Sequence, residues 1–376
     1  ALWLVRKVSS CRWEDSATCR IGARMGRPEK SGVREMKPMV HSLYPIAETG
    51  GPQRLLGESS SKGSIRVQMG PRICTVCGSE SPHIRCHKRP DPNVARECGG
   101  RTEVRKRRGG NRRRKGEFTT VPISSIMEVK RRSLGLDKLP SKIKAVKGLV
   151  SIGQSPEPLE KGILRAKHGV SVFRDGTSRY DMSDVPVTHF KPIEIGTSWE
   201  TLVGLGYTHD IRGNQLSSDT QMLELLPQDF IPSIRSKDHL LATCGFVDEL
   251  LIRFYGMEPF YNALTEIDLV GRLAIGLAPH TSGGVLCRII GWTSSSAGYA
   301  HPLFHAAKRR NCDGDEDSIM MLMDGLLNFS KEILPAGRGG RMDAPLVLTT
   351  RLNPMEIDKE ALNVDCSWSY SRAFYE

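Results

Sequence analysis

The chain has 376 residues, which is enough for two or three domains, and its 54 lysines and arginines outnumber its 42 aspartates and glutamates. The excess of 12 positive charges favours a polyanionic partner, although a merely soluble basic protein has the same balance. No apolar run reaches the roughly 18–20 residues of a membrane span, and the opening "ALWLVRKV" has neither the length nor the cleavage site of a signal peptide. Membrane-spanning and secreted proteins are therefore disfavoured.

The two ends of the chain indicate an internal fragment of a longer protein. The chain begins at Ala1 instead of methionine and stops abruptly after "SRAFYE". Within residues 1–56, short apolar pieces alternate with glycine and proline, which predicts strands and turns instead of long helices. The same region contains a basic stretch, "GRPEKSGVREMKP" (26–38).

Four of the ten cysteines lie in one module within 71–103, namely Cys74, Cys77, Cys86 and Cys98. Four thiolates from two turns suit a closed, tetrahedral, structural Zn²⁺ site, and this clustering in a long basic chain is typical of a cytosolic metal-binding protein. The second pair departs from CxxC because eleven residues separate Cys86 from Cys98. His83 or His87 therefore stays open as a replacement ligand. Reduced thiols without a metal are the alternative.

A dense basic run follows the cysteine module. Eight of the eleven residues 105–115 are lysine or arginine, a density that cannot form a buried core and predicts a linker. Such a run binds phosphates in a salt-dependent way without reading sequence. The residues expected to contact nucleic acid are Arg105, Lys106, Arg107 and Arg108. A solvated linker without a ligand is the alternative.

The middle of the chain mixes strand and helix signals. In "HGVSVFRDGTSRYD", apolar residues flank Asp175-Gly176, which predicts a hairpin with its turn there. Apolar residues at three- and four-residue steps predict a helix over 236–256 with Ser236 as its cap. Further along, "VLCRIIGWT" (285–293) predicts a buried strand.

The stretch "KRRNCDGDED" (308–317) sets aspartates at alternate positions directly after a basic run. On an extended segment, side chains two residues apart point to the same side, so Asp313 and Asp315 converge. Gly314 between them lets a phosphate or metal approach the backbone closely. Two convergent carboxylates, completed by phosphate and water, are typical of the two-Mg²⁺ sites of polymerases and nucleases. The basic residues expected on phosphate oxygens are Lys308, Arg309 and Arg310.

Two other interpretations of this acidic stretch stay open. A calcium loop of the EF-hand type matches at its first three ligands, but its sixth position is Ser318 instead of glycine and its twelfth is Asp324 instead of glutamate. The second interpretation is a solvated acidic turn that caps a following helix. That helix is predicted from apolar residues on one face, which are Ile319, Met323, Leu326 and Leu327.

Several stretches together resemble one known family. "AHPLFHAAKRRNCDGDED", preceded by "GLAPHTSGGVLCRIIGWT" and followed by "LLNFSKEILPAGRGGRMDAPLVL", is similar to the large, catalytic subunit of archaeal D-family DNA polymerase (DNA polymerase II). The upstream "EKGILRAKHGVSVFRDGTSRYD" and "THFKPIEIGTSWETLVGLGYTHDIRGN" resemble the same family in the same order. The resemblance therefore covers nearly the whole chain.

The resemblance implies an α+β fold whose catalytic core is built from two double-psi β-barrels, the first of them incomplete here. It also implies a division of the chain. The implied parts are a piece of the first barrel at 1–60, a zinc-binding module at 71–103, a basic linker at 104–117, a mixed α/β connecting region at 118–268, and the second barrel with the acidic loop at 269–376.

The resemblance further implies roles for individual residues. Asp313 and Asp315 would hold the catalytic Mg²⁺ ions, and Asn311 would support them. The basic stretch of the first barrel would contribute Lys30 and Lys37 as catalytic residues. The nucleic-acid contacts implied behind them are Arg27 and Arg34.

The implied reaction is template-directed DNA synthesis, in which a primer 3′-hydroxyl attacks the α-phosphate of a dNTP. The implied partners are primer–template DNA, dNTPs, a small subunit that carries a 3′–5′ exonuclease, and a sliding clamp. The implied location is the cytoplasm of an archaeon, at the nucleoid and not at a membrane. Two alternatives stay open: a non-catalytic zinc-containing nucleic-acid-binding protein, and an RNA polymerase-like barrel fragment, which would show the longer loop N-A-D-F-D-G-D.

Overall fold

A computed structural model describes most of the chain. The described residues are 28–70, 72–81, 86, 98–104, 117–149, 155–310, 314–331, 333–334 and 339–353. Within them, no helix is both long and apolar enough to cross a membrane.

The secondary structure is numbered here in chain order. The strands are Ser31–Val33 (β1), Ser42–Pro45 (β2), Ile65–Met69 (β3), Arg72–Cys74 (β4), Glu80–Ser81 (β5), Thr102–Val104 (β6), Glu117–Val121 (β7), Ala145–Val146 (β8), Tyr180–Pro186 (β9), His189–Phe190 (β10), Leu223–Glu224 (β11), Asp229–Ile231 (β12), Leu273–Leu277 (β13), Gly283–Ile289 (β14), Ala297–Ala300 (β15), Glu316–Met321 (β16) and Val347–Thr349 (β17). The α-helices are Leu56–Ser61 (α1), Ile123–Ser133 (α2), Leu159–His168 (α3), Pro192–Ile195 (α4), Trp199–Gly204 (α5), Lys237–Leu250 (α6), Pro302–Ala307 (α7) and Leu322–Asn328 (α8).

Six strands close into a barrel in the order β9-β15-β12-β14-β13-β16, and β16 pairs back onto β9. The pairs β9–β15 and β12–β14 are parallel, and the other four neighbouring pairs are antiparallel. The barrel has an internal symmetry that relates β9 to β14, β12 to β15, and β13 to β16. When each strand is replaced by its counterpart, the same strands remain neighbours and each neighbouring pair keeps its parallel or antiparallel direction. The barrel therefore consists of two interlocked copies of one three-strand pattern.

Two glycines make room for the aromatic core of the barrel. A Cβ on Gly298 of β15 would come within 2.5 Å of the Phe230 ring, and one on Gly276 of β13 would come within 2.8 Å of the Phe304 ring. The centroids of these two rings lie 6.1 Å apart, and both side chains are buried. Because a close-packed interior has no spare volume, a methyl group at either glycine would displace a ring.

The predicted helix and the predicted buried strand are confirmed. Helix α6 covers Lys237–Leu250, continues as a π-helical turn over Leu251–Tyr255, and ends at Gly256 with a positive φ of 66°. Ser236 does not cap it as expected, because its hydroxyl donates to the carbonyl of Ser233 at 2.7 Å instead. Strand β14 begins two residues before the predicted stretch, overlaps it over 285–289 and is largely buried.

Two predicted elements differ in the structure. The turn near Asp175-Gly176 forms and is closed by the Phe173 N–H, which donates to the Thr177 carbonyl at 2.8 Å. The Val172 N–H, however, donates to the Val40 carbonyl instead of pairing with β9, so no hairpin of two strands forms. The helix expected from Ile319 begins only at Leu322, because residues up to Met321 form β16. Strand β16 is bonded by β9 on one side and β13 on the other, so tertiary pairing outweighs the helical periodicity.

The closed sheet also corrects two predicted boundaries. The boundary expected between residues 268 and 269 falls inside the barrel, because β9 and β12 lie before it and complete the sheet. The segment 104–117 was expected to be a linker, but its ends belong to β6 and β7. Strand β7 pairs with β3 along its full length to form a two-stranded ribbon, here called the β3–β7 ribbon. The cysteine module and the basic run therefore lie in the connection between its two strands.

Candidate functional site

The acidic loop leads directly into barrel strand β16. Gly314 has a φ of 98°, a conformation that glycine adopts without strain. The next residue, Asp315, accepts a hydrogen bond on its backbone carbonyl from the Asp184 N–H of β9 at 3.0 Å. The predicted site residues Asn311 and Asp313 lie outside the described residues.

A guanidinium group already contacts this loop. Nη1 of Arg310 lies 3.4 Å from Oδ2 of Asp315, and its Nε lies 3.0 Å from Oδ1 of Asp317. Its Nη2 also donates to the Glu316 carbonyl at 3.0 Å. Asp315 and Asp317 thus face the same side, as their alternation predicts. Arg310, which was expected on phosphate, instead neutralises the carboxylates.

Lys308 differs more sharply from its predicted role. It is only 2% exposed, so it does not face solvent or a phosphate. Its ammonium donates to Oδ2 of Asp184 at 2.7 Å and to Oδ2 of Asp317 at 2.5 Å, and it lies 4.8 Å from the centroid of the Phe304 ring. A buried charge requires partners of opposite sign, which explains this placement. Arg309, the third basic residue of the run, is exposed.

The buried group beneath the loop has strongly shifted ionisation. Burial opposes the charge of Asp184, but the ammonium of Lys308 and the imidazole of His305 outweigh it and hold the Asp184 pKa well below its usual range. Burial lowers the pKa of Lys308, yet Asp184 and Asp317 more than reverse this, so the ammonium keeps its proton. Burial raises the pKa of Asp317, and Lys308 offsets that only in part. The four side chains form a buried polar cluster under the acidic loop.

The basic stretch approaches the same place from the other side of β9. The Lys30 N–H donates to Oγ of Ser183 at 2.9 Å, and the Ser183 N–H donates to the Lys30 carbonyl at 2.9 Å. On its opposite edge, Ser183 pairs with Glu316 of β16. Neighbouring strands lie about 4.8 Å apart, so the backbones of Lys30 and Glu316 are about 10 Å apart. Lys30 is exposed and thus faces solvent next to the acidic loop.

The other predicted basic residues are placed differently. Arg34 donates to Oδ2 of Asp181 at 3.0 Å, and its guanidinium lies 5.5 Å from the centroid of the Phe173 ring. Lys37 is exposed after β1, and no hydrogen bond or ion pair joins it to the described part of the acidic loop. The predicted contacts outside the described residues are Arg27, Arg105, Lys106, Arg107 and Arg108.

The four predicted zinc ligands come together. Their sulfur atoms lie within 4.8 Å of one another, with Cys74 and Cys98 at 3.8 Å and Cys77 and Cys86 at 3.6 Å. A tetrahedron with Zn–S bonds of about 2.3 Å has edges of about 3.8 Å, so the arrangement fits a zinc ion. The alternative ligands His83 and His87 lie outside the described residues.

Backbone turns shape both halves of this cysteine cluster. The Gly78 N–H donates to the Cys74 carbonyl at 3.0 Å, and the Gly99 N–H donates to the Cys86 carbonyl at 3.0 Å. Both glycines have positive φ, 69° and 64°, where a side chain would be strained. A hydrogen bond from Ser79 lowers the pKa of Cys77 to about 6, which favours the thiolate that binds metal.

The calcium-loop interpretation does not fit this geometry. An EF-hand loop passes into a helix after its last ligand, whereas here its fifth residue, Asp317, already lies in barrel strand β16. Its carboxylate binds Lys308 inside the barrel.

The sequence analysis did not identify Asp184 as a site residue. Asp184 lies on the same face of its strand as the buried Met182, and a charged residue at such an inward position indicates a buried partner of opposite charge.

Known protein families match both halves of the chain. A model described as the DNA polymerase II large subunit DP2, catalytic domain, matches residues 136–376. A second model, described as the central domain of the same subunit, matches residues 1–107. The first match alone covers more than half of the chain.

Curated relatives carry the same description. The DNA polymerase II large subunit of Methanococcoides burtonii is 49% identical over 96% of this chain, and that of Methanocella arvoryzae is 50% identical over 96%. The corresponding protein of Natronomonas pharaonis is 47% identical over 100% of this chain. The aligned region covers 32%, 33% and 33% of these relatives, so the chain spans about a third of their length.

Proposed function

We propose that this chain, which belongs to the family of DNA polymerase II large subunits, carries the nucleotide-joining centre of a DNA-directed DNA polymerase. The observation that carries the proposal is the arrangement around Ser183 of β9. The acidic loop borders one edge of that residue and the exposed Lys30 borders the other. The backbones of Lys30 and of the acidic strand are thereby held on either side of β9, about 10 Å apart.

The described carboxylate that suits a magnesium ion is Asp315. Its side chain is 21% exposed, and the nearby guanidinium of Arg310 shows that the position accepts a cation. Asp313, two residues before it in the chain, would supply a second carboxylate, and Asn311 would support it. Mg²⁺ bound here would lower the pKa of a primer 3′-hydroxyl and offset the charge of the leaving pyrophosphate.

The residues of the chain itself divide the remaining tasks. Lys30 binds the dNTP triphosphate, and the exposed Arg309 binds the DNA backbone. Asp315 would exchange its contact with Arg310 for a metal ion, and Asp317 and the Glu316 carbonyl would still hold Arg310. The buried Lys308 keeps Asp184 and Asp317 in place, and Asp184 fixes the carbonyl of Asp315.

The barrel belongs in this proposal to the double-psi type. Its two interlocked three-strand halves, which are joined by the two parallel pairs β9–β15 and β12–β14, support that assignment. The basic stretch with Lys30, Lys37 and Arg34 would belong to a first barrel of the same type. The cysteine cluster would hold one structural Zn²⁺ through Cys74, Cys77, Cys86 and Cys98.

The proposed partners follow from the family. They are primer–template DNA, dNTPs, a small subunit of the same heterodimer and a sliding clamp, in the archaeal nucleoid. We assign the 3′–5′ exonuclease step to the small subunit, as the family resemblance implies.

Substitution of the loop carboxylates tests the synthesis site. We expect Asp313→Asn and Asp315→Asn each to slow primer extension with dNTPs at least about a hundredfold, because each loses a charge that binds metal. Affinity for primer–template DNA should change little. The measurement is single-turnover extension, with binding followed by fluorescence anisotropy. Asp238→Asn, an exposed carboxylate on helix α6, is the matched control and should extend normally.

The outcomes separate the competing functions. Wild-type extension by either loop variant would refute the site. DNA binding without extension by the wild-type chain, with the small subunit present, would favour the non-catalytic nucleic-acid-binding protein. Extension with NTPs in preference to dNTPs would favour the RNA polymerase-like alternative.

A further inference from the structure

The β3–β7 ribbon has one buried face and one solvent face. On β3, Ile65, Val67 and Met69 are at most 2% exposed and belong to the main hydrophobic core. The residues between them, Arg66 and Gln68, point outward, opposite Thr120 and Phe118 of β7, respectively. The solvent face therefore consists of the four side chains Arg66, Gln68, Phe118 and Thr120.

Phe118 is an apolar side chain on the solvent face of the ribbon, which is unusual for phenylalanine. Its side chain is 62% exposed, although a phenylalanine on a solvent face gains little from the hydrophobic effect. The guanidinium carbon of Arg66 lies 5.1 Å from the centroid of its ring, a cation–π contact. Because the inner row of the ribbon is anchored in the core, the ring and the guanidinium are held on a rigid element.

The surroundings of Phe118 favour a nucleic acid over a protein. Its neighbours on the solvent face are all polar, so the apolar surface is a single ring and not the wide patch that a protein interface needs. In the sequence, Phe118 follows Lys115 by three residues, at the end of the run in which eight of eleven residues are basic. A chain with a net charge of +12 concentrates phosphates at such places.

We propose that Phe118 and Arg66 form a stacking site for an unpaired base of single-stranded DNA. The base stacks on the exposed face of the Phe118 ring, and the guanidinium of Arg66 binds the adjoining phosphate or stays on the ring. The site reads no sequence, because every base has a face that stacks. The inference rests on the proposed function for the identity of the polymer, but it does not depend on the joining reaction.

The experiment uses the full chain and an oligothymidylate with a single 2-aminopurine, a base that loses fluorescence when it stacks. We expect the wild-type chain to quench the probe. Phe118→Leu, which keeps an apolar side chain but removes the aromatic face, should abolish the quenching and weaken binding about tenfold. Phe118→Tyr keeps the face and should behave as wild type. Phe260→Leu, at another exposed aromatic residue, is the matched control.

A second measurement needs no variant. Photocrosslinking of the wild-type chain to an oligonucleotide with 5-iododeoxyuridine should yield a crosslink at Phe118, located by mass spectrometry. Equal quenching and affinity for the leucine and tyrosine variants, or a crosslink map that omits Phe118, would overturn the proposal.

Two results keep this inference separate from the proposed function. Asp315→Asn should bind and quench the probe as the wild type does, since the stacking site holds no metal ligand. Phe118→Leu should retain the wild-type extension rate at saturating primer–template. Quenching without extension would reject only the polymerase assignment, and extension without quenching would reject only the stacking site.

Discussion

At the scale of single residues, the most informative side chain is Lys308, whose ammonium lies between two buried carboxylates. The sequence "KRR" does not predict that Lys308 is buried, because three consecutive basic residues are usually solvated. The spacing of Asp313 and Asp315, in contrast, needs only the sequence to predict a metal site, and that site stays a prediction. The difference is physical: alternation along a strand is a local property, whereas the burial of Lys308 depends on β9, more than a hundred residues upstream.

Replacement of Lys308 by methionine tests how much this residue contributes to the free energy of unfolding. Lys308→Met would leave Asp184 and Asp317 buried without their shared cation, so we expect a loss of about 3–5 kcal/mol in the free energy of unfolding. Urea denaturation measures this. Lys167→Met, at a lysine whose side chain is 41% exposed in its ion pair with Glu249, should cost less than about 1 kcal/mol.

A double variant separates charge from packing. Adding Asp317→Asn to Lys308→Met removes one of the two buried carboxyl groups left without their cation and should recover part of the lost stability. A single variant as stable as the wild type, or a double variant less stable than the single one, would contradict the role given to Lys308.

At the scale of elements, the link between β2 and β8 depends on a histidine that accepts a hydrogen bond. The Lys144 N–H donates to Nδ1 of His41 at 3.1 Å, so the imidazole must be neutral. Burial, helped by the charges of Lys144 and Arg165, lowers the His41 pKa from 6.5 to about 4. Between pH 6.5 and about pH 4, His41 is protonated in the unfolded chain but stays neutral in the folded chain. The free energy of unfolding therefore falls as the pH drops through this range.

His41→Asn tests this pH dependence, because asparagine keeps an acceptor oxygen but cannot titrate. Between pH 7 and pH 4.5, we expect the wild type to lose roughly 1–3 kcal/mol more stability than the variant. Urea titrations at both pH values give the comparison, and other acid-sensitive groups cancel in the difference. Parallel losses in the two proteins would show that His41 does not contribute.

Element types were predictable where the pattern was long. Helix α6 follows from five apolar residues at helical spacing, and β14 from a continuous apolar run. The prediction of a helix from Ile319 to Leu327 was wrong at its start, since residues up to Met321 form a strand. Pairing of β16 with two neighbours decides the matter, and no local signal carries that information.

At the scale of the whole molecule, the cysteine cluster is separate from the barrel, because its ligands belong to strands β4 to β6 and their turns. We expect about one Zn²⁺ per chain by plasma mass spectrometry, and Cys74→Ser should lower that content. Cys244→Ser, at a buried thiol in helix α6, should leave it unchanged. Equal zinc content in all three proteins would remove the cluster as the site.

The pattern of apolar residues in the sequence did not predict that the sheet closes into a barrel. The family resemblance supplied the expectation of a barrel, but the predicted boundary placed β9 and β12 outside it. Those two strands precede β13 by more than forty residues, and a short strand such as Asp229–Ile231 carries too little periodicity to reveal its partners.

The position of β9 between the basic stretch and the acidic strand has a consequence for folding. Lys30 and Ser183 are 153 residues apart in the chain, and Asp181 and Ser318 are 137 apart. Contacts between residues so far apart in the sequence form slowly, because closing the large loops costs entropy before the pairing contributes any stabilisation. We therefore expect the basic stretch and the acidic strand to stay apart until these pairings form, so that the proposed reaction centre is assembled only when both large loops have closed.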